Sequence, residues 1–516
     1  MRSVHFAEEH DRFRAEVRRF VETEVAPHAE AWEHAGRIPR EIFRRMGELG
    51  FLGILFPESY GGAGAGLFHA VAFLEELPRS RMGGFCAAVS VQQFMATQHL
   101  YRSGSEALRK RYLVPSIAGR AVGALAITEP DTGSDVAAIR TTARRDGDHW
   151  VVDGAKTFIT NGADGDFYTL AVRTGGDGAA GLSLLVVDSD LPGVRVAKRL
   201  RKLGWHSSDT AELTFDGVRV PLDRLIGEEN SGFYQLMDSF QLERLASAAI
   251  AIGSADVALE ETIAYLAERS AFGRPLNRFQ ALRHRLADLA TEVEAARHLV
   301  YHAAWLHEHG EPAIRECSMA KLLATELGMR VADAAVQCFG GYGFMEEFPA
   351  ARLFRDARGA TITAGTSEIM REIIARTLFE EAPAPRPIPP PAPPPRAQVP
   401  APVPERESAA DSGVEAVLRS LPARLRPDHA AGWNAVFHLD LLGATESLWT
   451  VRIADGRCTV EAGLHGTPDC VVKTREKTFL GIEDGTVNPQ TAFLLGKIRI
   501  NNLSAMMKFV HAFRHR

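Results

Sequence analysis

The feature that most constrains the fold is a proline-rich run, because it divides the chain into two parts that must each fold alone. Between Pro383 and Pro404, 12 of the 22 residues are proline. Such a run favours an extended polyproline conformation of about 3.1 Å per residue, so it could reach roughly 65 Å. We therefore predict a semi-rigid linker over 383–410, with an SH3-type ligand as the less favoured interpretation. It would separate residues 1–382 from a second part at 411–516.

Within the first part, residues 124–162 have the pattern of a site for a flat ligand. Residues 124–127 are typical of a short buried strand, and residues 131–135 form a loop of small residues with free backbone N–H groups. Residues 156–160 are typical of a further strand that ends at the turn dipeptide Asn161-Gly162. Two such strand ends could hold the polar edge of a planar cofactor. Taken alone, however, the pattern favours an ordinary β-domain with polar turns.

Helical periodicity prevails on either side of this stretch. Apolar residues at spacings of three, four and seven predict one amphipathic helix over 6–33, and similar patterns continue to residue 117. The small residues of 246–255 and a seam of apolar residues over 282–303 predict closely packed antiparallel helices. The sequence thus predicts a multidomain protein: an α-helical domain at 1–120, a small β-domain at 121–230 and a helical bundle at 231–382.

Composition excludes several other classes of protein. The chain carries 59 basic and 65 acidic residues without a long like-charge block, which gives nucleic-acid binding little support. Its five cysteines form no Cys-x-x-Cys pair, which predicts reduced thiols and no metal site. The N-terminus lacks an apolar signal core, and the longest apolar runs, such as 51–56, are far too short to span a bilayer. We therefore expect a soluble cytoplasmic protein.

The first part resembles the acyl-CoA dehydrogenase family over about residues 5–381. The resemblance rests on Thr-Glu-Pro-x-x-Gly-Ser-Asp, which ends at Asp135, and on Lys-x-x-Ile-Thr-Asn-Gly, which begins at Lys156. It implies helical, β and four-helix-bundle domains in that order. It also implies FAD as cofactor and α,β-dehydrogenation of a fatty-acyl thioester.

The same resemblance implies two sets of FAD-binding residues. The first lies along the flavin, with Thr128 at the ring edge, Ser134 towards the pyrophosphate and substrate, and the Thr160 hydroxyl near N5. This set is Leu125, Ile127, Thr128, Gly133, Ser134, Phe158, Ile159 and Thr160. Phe158 stands where many members have Trp, which keeps an aromatic face but removes an indole donor.

The second set would reach the flavin of a neighbouring subunit, which implies a homodimer or homotetramer. It consists of Arg269, Phe272, Gln280, Gln337, Gly340 and Gly341, and Thr366 and Glu368 are further candidate FAD-binding residues. Arg269 alone would more often be a solvated helix charge. Within its motif we interpret it as a ligand of the FAD pyrophosphate.

Removal of the substrate's α-proton requires a general base. Most family members place a Glu before the Gly-Thr of a C-terminal loop, but here Ala364 precedes Gly365. A minority, including isovaleryl-CoA and long-chain dehydrogenases, place the Glu before an Arg on an earlier helix, and this chain has Glu243-Arg244 there. We predict Glu243 as the base and Arg244 as a substrate-side helper, although a surface ion pair is the simpler interpretation of the dipeptide alone. The backbone N–H of Ala364 would then donate to the thioester oxygen beside Gly365.

The second part has the pattern of an α+β domain, with a helix at 414–421, four strands between 435 and 473, and further helices up to 513. Its Trp-x-Val-x-Ile-x-Asp-Gly pattern, which begins at Trp449, and the run 488–498 resemble the sterol-carrier-protein lipid-binding domain. That family encloses acyl chains, acyl-CoA or sterols in an apolar tunnel. Candidate wall residues, for which core packing is an equal alternative, are Met506, Met507, Phe509 and Phe513.

Together these features predict conversion of an acyl-CoA, or an acyl-carrier-protein thioester, to the trans-2-enoyl product. Electrons would pass to an electron-transferring flavoprotein, and the second domain would bind a lipid or acyl chain. An acyl-CoA oxidase is an alternative within the same fold. A non-catalytic lipid-binding or carrier flavoprotein is an alternative from another class, and Ala364 keeps it open.

Overall fold

The computed structural model describes residues 3–380, 413–426, 430, 432–443, 447–494 and 496–513. The chain forms two compact units that divide after residue 374. The predicted linker at 383–410 lies outside the described residues. No helix in the described ranges has both the length and the apolar character needed to cross a bilayer.

The first unit begins with short helices. They are α1 (Glu8–Phe20), α2 (Ala29–Ala35), α3 (Arg40–Glu48), α4 (Leu67–Glu76), α5 (Gly83–Ser90), α6 (Thr97–Ser103), α7 (Glu106–Leu108) and α8 (Val114–Ile117). The single helix predicted over 6–33 is wrong, because a π-helical turn at Val21–Val25 and a 3-10 turn at Ala26–His28 interrupt it. Pro27 lies in the second turn and lacks the N–H that a continuing helix would need.

A β-domain follows. Its strands are β1 (Gly123–Ala126), β2 (Thr142–Asp146), β3 (His149–Thr160), β4 (Phe167–Arg173), β5 (Leu182–Asp188), β6 (Val194–Arg199), β7 (Thr210–Pro221) and β8 (Leu225–Ile226). They form one sheet in the order β6-β7-β3-β2-β4-β5-β8, with β1 parallel to β4. The prediction of a separate strand at residues 156–160 is wrong, because these residues are the end of β3. The pairing of β3 with β7 is irregular after Val152 and again after Lys156. These irregularities interrupt the strand pattern in the sequence, so the full length of β3 was not predicted.

The helical bundle of the first unit contains α9 (Gly232–Glu268), α10 (Gln280–Glu308), α11 (Ile314–Phe339) and α12 (Pro349–Ala360). The next helix, α13 (Ser367–Glu380), begins in this unit, and the boundary between the two units falls within it. A two-stranded hairpin, β9 (Ser270–Ala271) and β10 (Arg274–Pro275), connects the first two of these helices. Helix α4 packs against α9 so closely that a Cβ at Gly253 would lie 2.2 Å from the Glu75 carbonyl oxygen. The small residues predicted to allow close packing do so here.

The second unit contains α14 (Gly413–Arg424), β11 (Ala435–Leu442), β12 (Ser447–Ala454), β13 (Arg457–Ala462), β14 (Cys470–Arg475), α15 (Glu476–Glu483), α16 (Pro489–Leu494), β15 (Ile498–Ile500) and α17 (Leu503–Ala512). The strand order is β13-β12-β11-β14-β15, and only β11 and β14 are parallel. The short β15 was not predicted. Met506 and Phe509 pack against the core and Phe513 is part of it, whereas the side chain of Met507 lies outside the description.

Candidate active site

The end of β1 and the end of β3 are joined side by side in the first unit. The Lys156 ammonium donates to the Ile127 carbonyl and to the Glu129 carboxylate, each at 2.9 Å. The backbone N–H of Thr157 donates to the Thr128 carbonyl, also at 2.9 Å. These bonds bring Ile127 and Thr128 next to Phe158, as the predicted flavin wall requires.

Lys156 and Glu129 form a buried ion pair at this junction. The Glu129 carboxylate also accepts from the backbone N–H groups of Arg140 and Thr141, at 2.7 and 2.8 Å. Burial lowers the pKa of Lys156 to about 8, although Glu129 opposes the change. Burial alone would raise the pKa of Glu129, but Lys156 and the hydrogen bonds hold it below its usual value. The pair therefore fixes the loop between β1 and β2 as well as both strand ends.

Phe158 projects from an irregularity in β3 towards open space. It has a left-handed backbone, with φ of +60°, and its side chain is 68% exposed. Such an irregularity turns a side chain out of the alternation of a strand, and strained residues of this kind cluster at functional sites. Thr160 is half-buried, but Ile159 is buried in the core of the β-domain. The structure thus places the Ile159 side chain away from the face that Phe158 exposes, because adjacent strand residues face opposite sides.

Leu125 and Ile127 are half-buried, whereas Ala124 and Ala126, with which they alternate, are buried. This alternation gives β1 one face towards the core and one that is partly accessible.

The loop after β1 offers unpaired donors. Gly133 and Ser134 are exposed. Among the described residues, the backbone N–H groups of Gly133, Ser134 and Asp135 have no hydrogen-bond acceptor. Consecutive free N–H groups make an anion-binding concavity. This donor set fits the pyrophosphate of a dinucleotide such as FAD.

The second predicted set gathers around the end of α9 and the end of α11. The Arg269 guanidinium lies over the Tyr342 ring, 5.7 Å from its centre. Tyr265 stacks on Phe339 at 4.1 Å and donates to its carbonyl at 3.2 Å. These contacts place Arg269 beside the Gly340-Gly341 turn.

The members of this second set are exposed in the single chain. Phe272 is 95% exposed and has a left-handed backbone with φ of +52°. The other exposed members are Arg269, Gln280, Gln337, Gly340 and Gly341. The two further candidates lie at the start of α13, where Glu368 is exposed. Thr366 is half-buried, and its hydroxyl accepts from the Ile369 N–H at 3.3 Å, so it caps α13.

Glu243 lies in the interior, on α9. It is 4% exposed, and its Oε1 atom has no hydrogen-bond partner in the described part of the chain. Burial raises its pKa to about 8, with the Arg244 charge opposing the change. Arg244 is also buried, and burial lowers its pKa. A surface ion pair is therefore excluded. An unpaired buried carboxyl with a pKa near the working range is the usual form of a general base.

The loop that contains Ala364 lies before α13. Ala364 and Gly365 have φ of +54° and +91°. The Gly365 carbonyl accepts from the ammonium of Lys321, on α11, at 2.6 Å. The charge of Arg244 contributes to lowering the pKa of Lys321, whose ammonium bonds to this loop.

The sequence pattern alone predicts no role for Glu129, Lys156 or Lys321. The first two lie inside the signature motifs, Glu129 as the second residue of the first motif and Lys156 as the first residue of the second. Lys321 is a lone charge in the otherwise small and apolar run Ser318-Met-Ala-Lys-Leu-Leu-Ala, and that contrast is the signal that could have indicated it.

Comparison with known families agrees with this arrangement. The acyl-CoA dehydrogenase N-terminal, middle and C-terminal domains match residues 7–120, 124–218 and 230–379. The SCP-2 sterol transfer family matches residues 414–514.

Individual relatives match the first unit along most of their length. An acyl-CoA dehydrogenase of Bacillus subtilis (strain 168) is 40% identical, over 73% of this chain and 99% of that protein. The mitochondrial long-chain specific acyl-CoA dehydrogenase of Sus scrofa is 39% identical, over 73% of this chain and 88% of its own. The crystal structure of a probable acyl CoA dehydrogenase from Mycobacterium abscessus is 45% identical, with a TM-score of 0.71 over 73% of this chain and all of that one. The chain therefore belongs to the acyl-CoA dehydrogenase family, oxidoreductases that act on the CH–CH bond of acyl-CoA, and carries an additional domain of the SCP-2 sterol transfer family.

Proposed function

We propose that this protein uses FAD to convert an acyl-CoA to its trans-2-enoyl-CoA, with Glu243 as the base. The observation that carries the assignment of the base is the buried, unpaired carboxyl of Glu243, in a chain whose loop offers only Ala364 at the alternative position. When bound, FAD supplies the acceptor for the substrate's β-hydride. The flavin would rest against Phe158 and Thr128, with its pyrophosphate on the amides of 133–135.

The chain's own residues would perform the proton chemistry. Glu243 removes the α-proton, and negative charge develops on the thioester oxygen. A backbone N–H aimed at that oxygen stabilises the charge, and Ala364 can supply one because this needs no side chain. Arg244 lies next to the base and limits how far burial raises its pKa. Exclusion of water from the interior strengthens each of these interactions.

Anaerobic flavin bleaching tests the function directly. Mixing the purified yellow protein with acyl-CoA thioesters of different chain length and branching should bleach the visible flavin absorption with at least one of them. Purified protein without a flavin spectrum, or a flavin that no thioester bleaches, would refute the proposal. Admitting air afterwards separates two activities: slow reoxidation supports a dehydrogenase that needs an electron-transferring flavoprotein, whereas rapid reoxidation with peroxide indicates an oxidase.

We propose a homodimer or homotetramer, because the second set of FAD residues is exposed in the single chain. Phe272 and Phe344 are 95% and 81% exposed, which is unusual for large apolar side chains that no partner covers. Sedimentation at the mass of one chain would contradict this assembly.

The C-terminal domain would bind a lipid or acyl chain and raise the local concentration of substrate. Deleting residues 383–516 should therefore raise the apparent Michaelis constant for long-chain acyl-CoA by about tenfold. Short-chain acyl-CoA, which an apolar tunnel would hold weakly, is the internal control. Steady-state kinetics of both forms test delivery, and an unchanged constant for the long chain would refute it.

A cytoplasmic location is the final part of the proposal. The five cysteines are all buried and form no disulfide in the described residues. Unpaired thiols are typical of a reducing compartment. Fractionation of the cells that make the protein would test this.

A further inference from the structure

Lys321 carries a buried charge that the proposed reaction does not use. Its side chain is 0% exposed, and no carboxylate of the described residues lies within ion-pair distance. Burial, reinforced by the charge of Arg244, lowers its pKa to about 8. A buried ammonium without a carboxylate is unfavourable, so its presence requires another reason.

Its hydrogen-bond partner is the loop before α13. The ammonium donates to the Gly365 carbonyl at 2.6 Å. That carbonyl follows two left-handed residues, of which Ala364 lacks the freedom of glycine. Strained backbone of this kind persists only when its surroundings hold it in place.

Other bonds hold only the ends of this loop. The Ser367 N–H donates to the Thr361 carbonyl at 3.1 Å, and the Thr363 N–H donates to the Gly359 carbonyl at 3.2 Å. Among the described side chains, Lys321 supplies the hydrogen bond to the left-handed pair itself.

We propose that Lys321 is a positioning residue, which holds the Ala364–Gly365 turn so that the Ala364 N–H points at the thioester oxygen. Lys321 does not touch the substrate. A fixed Gly365 carbonyl limits rotation of the preceding peptides, and a donor aimed in advance needs no reorganisation when the enolate charge develops. The inference rests on the proposed function of the Glu243 site.

Substitution of Lys321 by methionine tests this role. Two rates are measured: flavin reduction at saturating acyl-CoA, and α-proton exchange of an acyl-CoA whose β-carbon is replaced by sulfur, which cannot transfer a hydride. Lys321→Met should lower both rates by about 10²-fold, as expected for loss of an oriented donor, and change the Michaelis constant much less. The matched control is Ser318→Ala, on the same helix. It removes a buried hydroxyl whose hydrogen bond stays within that helix. It should leave both rates unchanged.

A second variant separates positioning from stability. Lys321→Ala leaves space for an added alkylamine, and propylamine should restore part of both rates without changing flavin content. If the Met variant fails to fold, this rescue alone decides the matter. Wild-type rates in the Met variant, or absence of rescue in the Ala variant, would overturn the positioning role. Failure of the wild-type protein to bleach its flavin would instead refute the proposed function.

Discussion

Replacing Glu243 by glutamine should leave the flavin bound and lower the rate of its bleaching by acyl-CoA by about 10²–10⁴-fold. Glutamine keeps the shape of the side chain but cannot accept the α-proton. The loop before α13 offers only Ala364, which cannot accept a proton, at the alternative position for the base. Stopped-flow absorbance under anaerobic conditions measures the rate, and the bound-flavin spectrum confirms that the site remains intact.

Glu260→Gln is the matched control for this experiment. Glu260 is on the same helix, but its carboxylate is exposed and pairs with Arg79 at the surface. Its substitution should leave bleaching unchanged. A near-normal rate in the Glu243→Gln protein would show that another group is the base.

The pKa of about 8 for Glu243 gives the reaction a specific pH dependence. A base must be ionised, so kcat/KM should fall by about tenfold for each pH unit below 8 and level off above it. The contribution of Glu243 to stability should change in the opposite direction, becoming less favourable as pH rises. The unfolded carboxyl ionises near its ordinary pKa, so ionisation favours the unfolded state increasingly as pH rises from that value to about 8. Glu243→Gln should therefore stabilise the protein at pH 9 more than at pH 5, as measured by denaturant unfolding.

Much of the fold could be predicted from local patterns. The helix-strand-helix order follows from periodicity, and the four strands predicted between 435 and 473 are present as β11 to β14. The failures have local causes. Two β-irregularities hid the length of β3, and a π-helical turn followed by Pro27 broke the first helix, although its apolar spacing continued.

The candidate site was less accessible to sequence reasoning because it depends on burial and on contacts between distant residues. The motif identified Glu243, but only the structure shows that it is unpaired. Lys156 is 27 residues from Glu129, and Lys321 is 44 residues from Gly365. No short-range pattern contains either contact. Likewise, Phe158 is exposed and Ile159 is buried because the pairing of β3 is irregular at this point, and the sequence pattern does not indicate that irregularity.

Replacing Lys156 by methionine should have the second large effect, which is loss of flavin together with loss of stability. The substitution leaves the Glu129 carboxylate buried without its cation, and breaking a buried pair in this way costs about 3–5 kcal/mol. It also removes the bond that fixes the Ile127 carbonyl at the edge of the proposed flavin wall. Flavin content after gel filtration and the free energy of unfolding measure the two effects.

A double-mutant cycle distinguishes the charge from the architecture of this junction. Glu129→Gln together with Lys156→Met removes both charges, so the double variant should be more stable than Lys156→Met alone. Flavin binding should recover less than stability, because methionine still cannot hold the Ile127 carbonyl. The pair would then act on the cofactor by fixing the end of β1, and not only by stabilising the β-domain. Equal recovery of flavin binding and stability would show that the pair acts only by stabilising the β-domain. A Lys156→Met protein that keeps both its flavin and its stability would show that the pair has no role in the site.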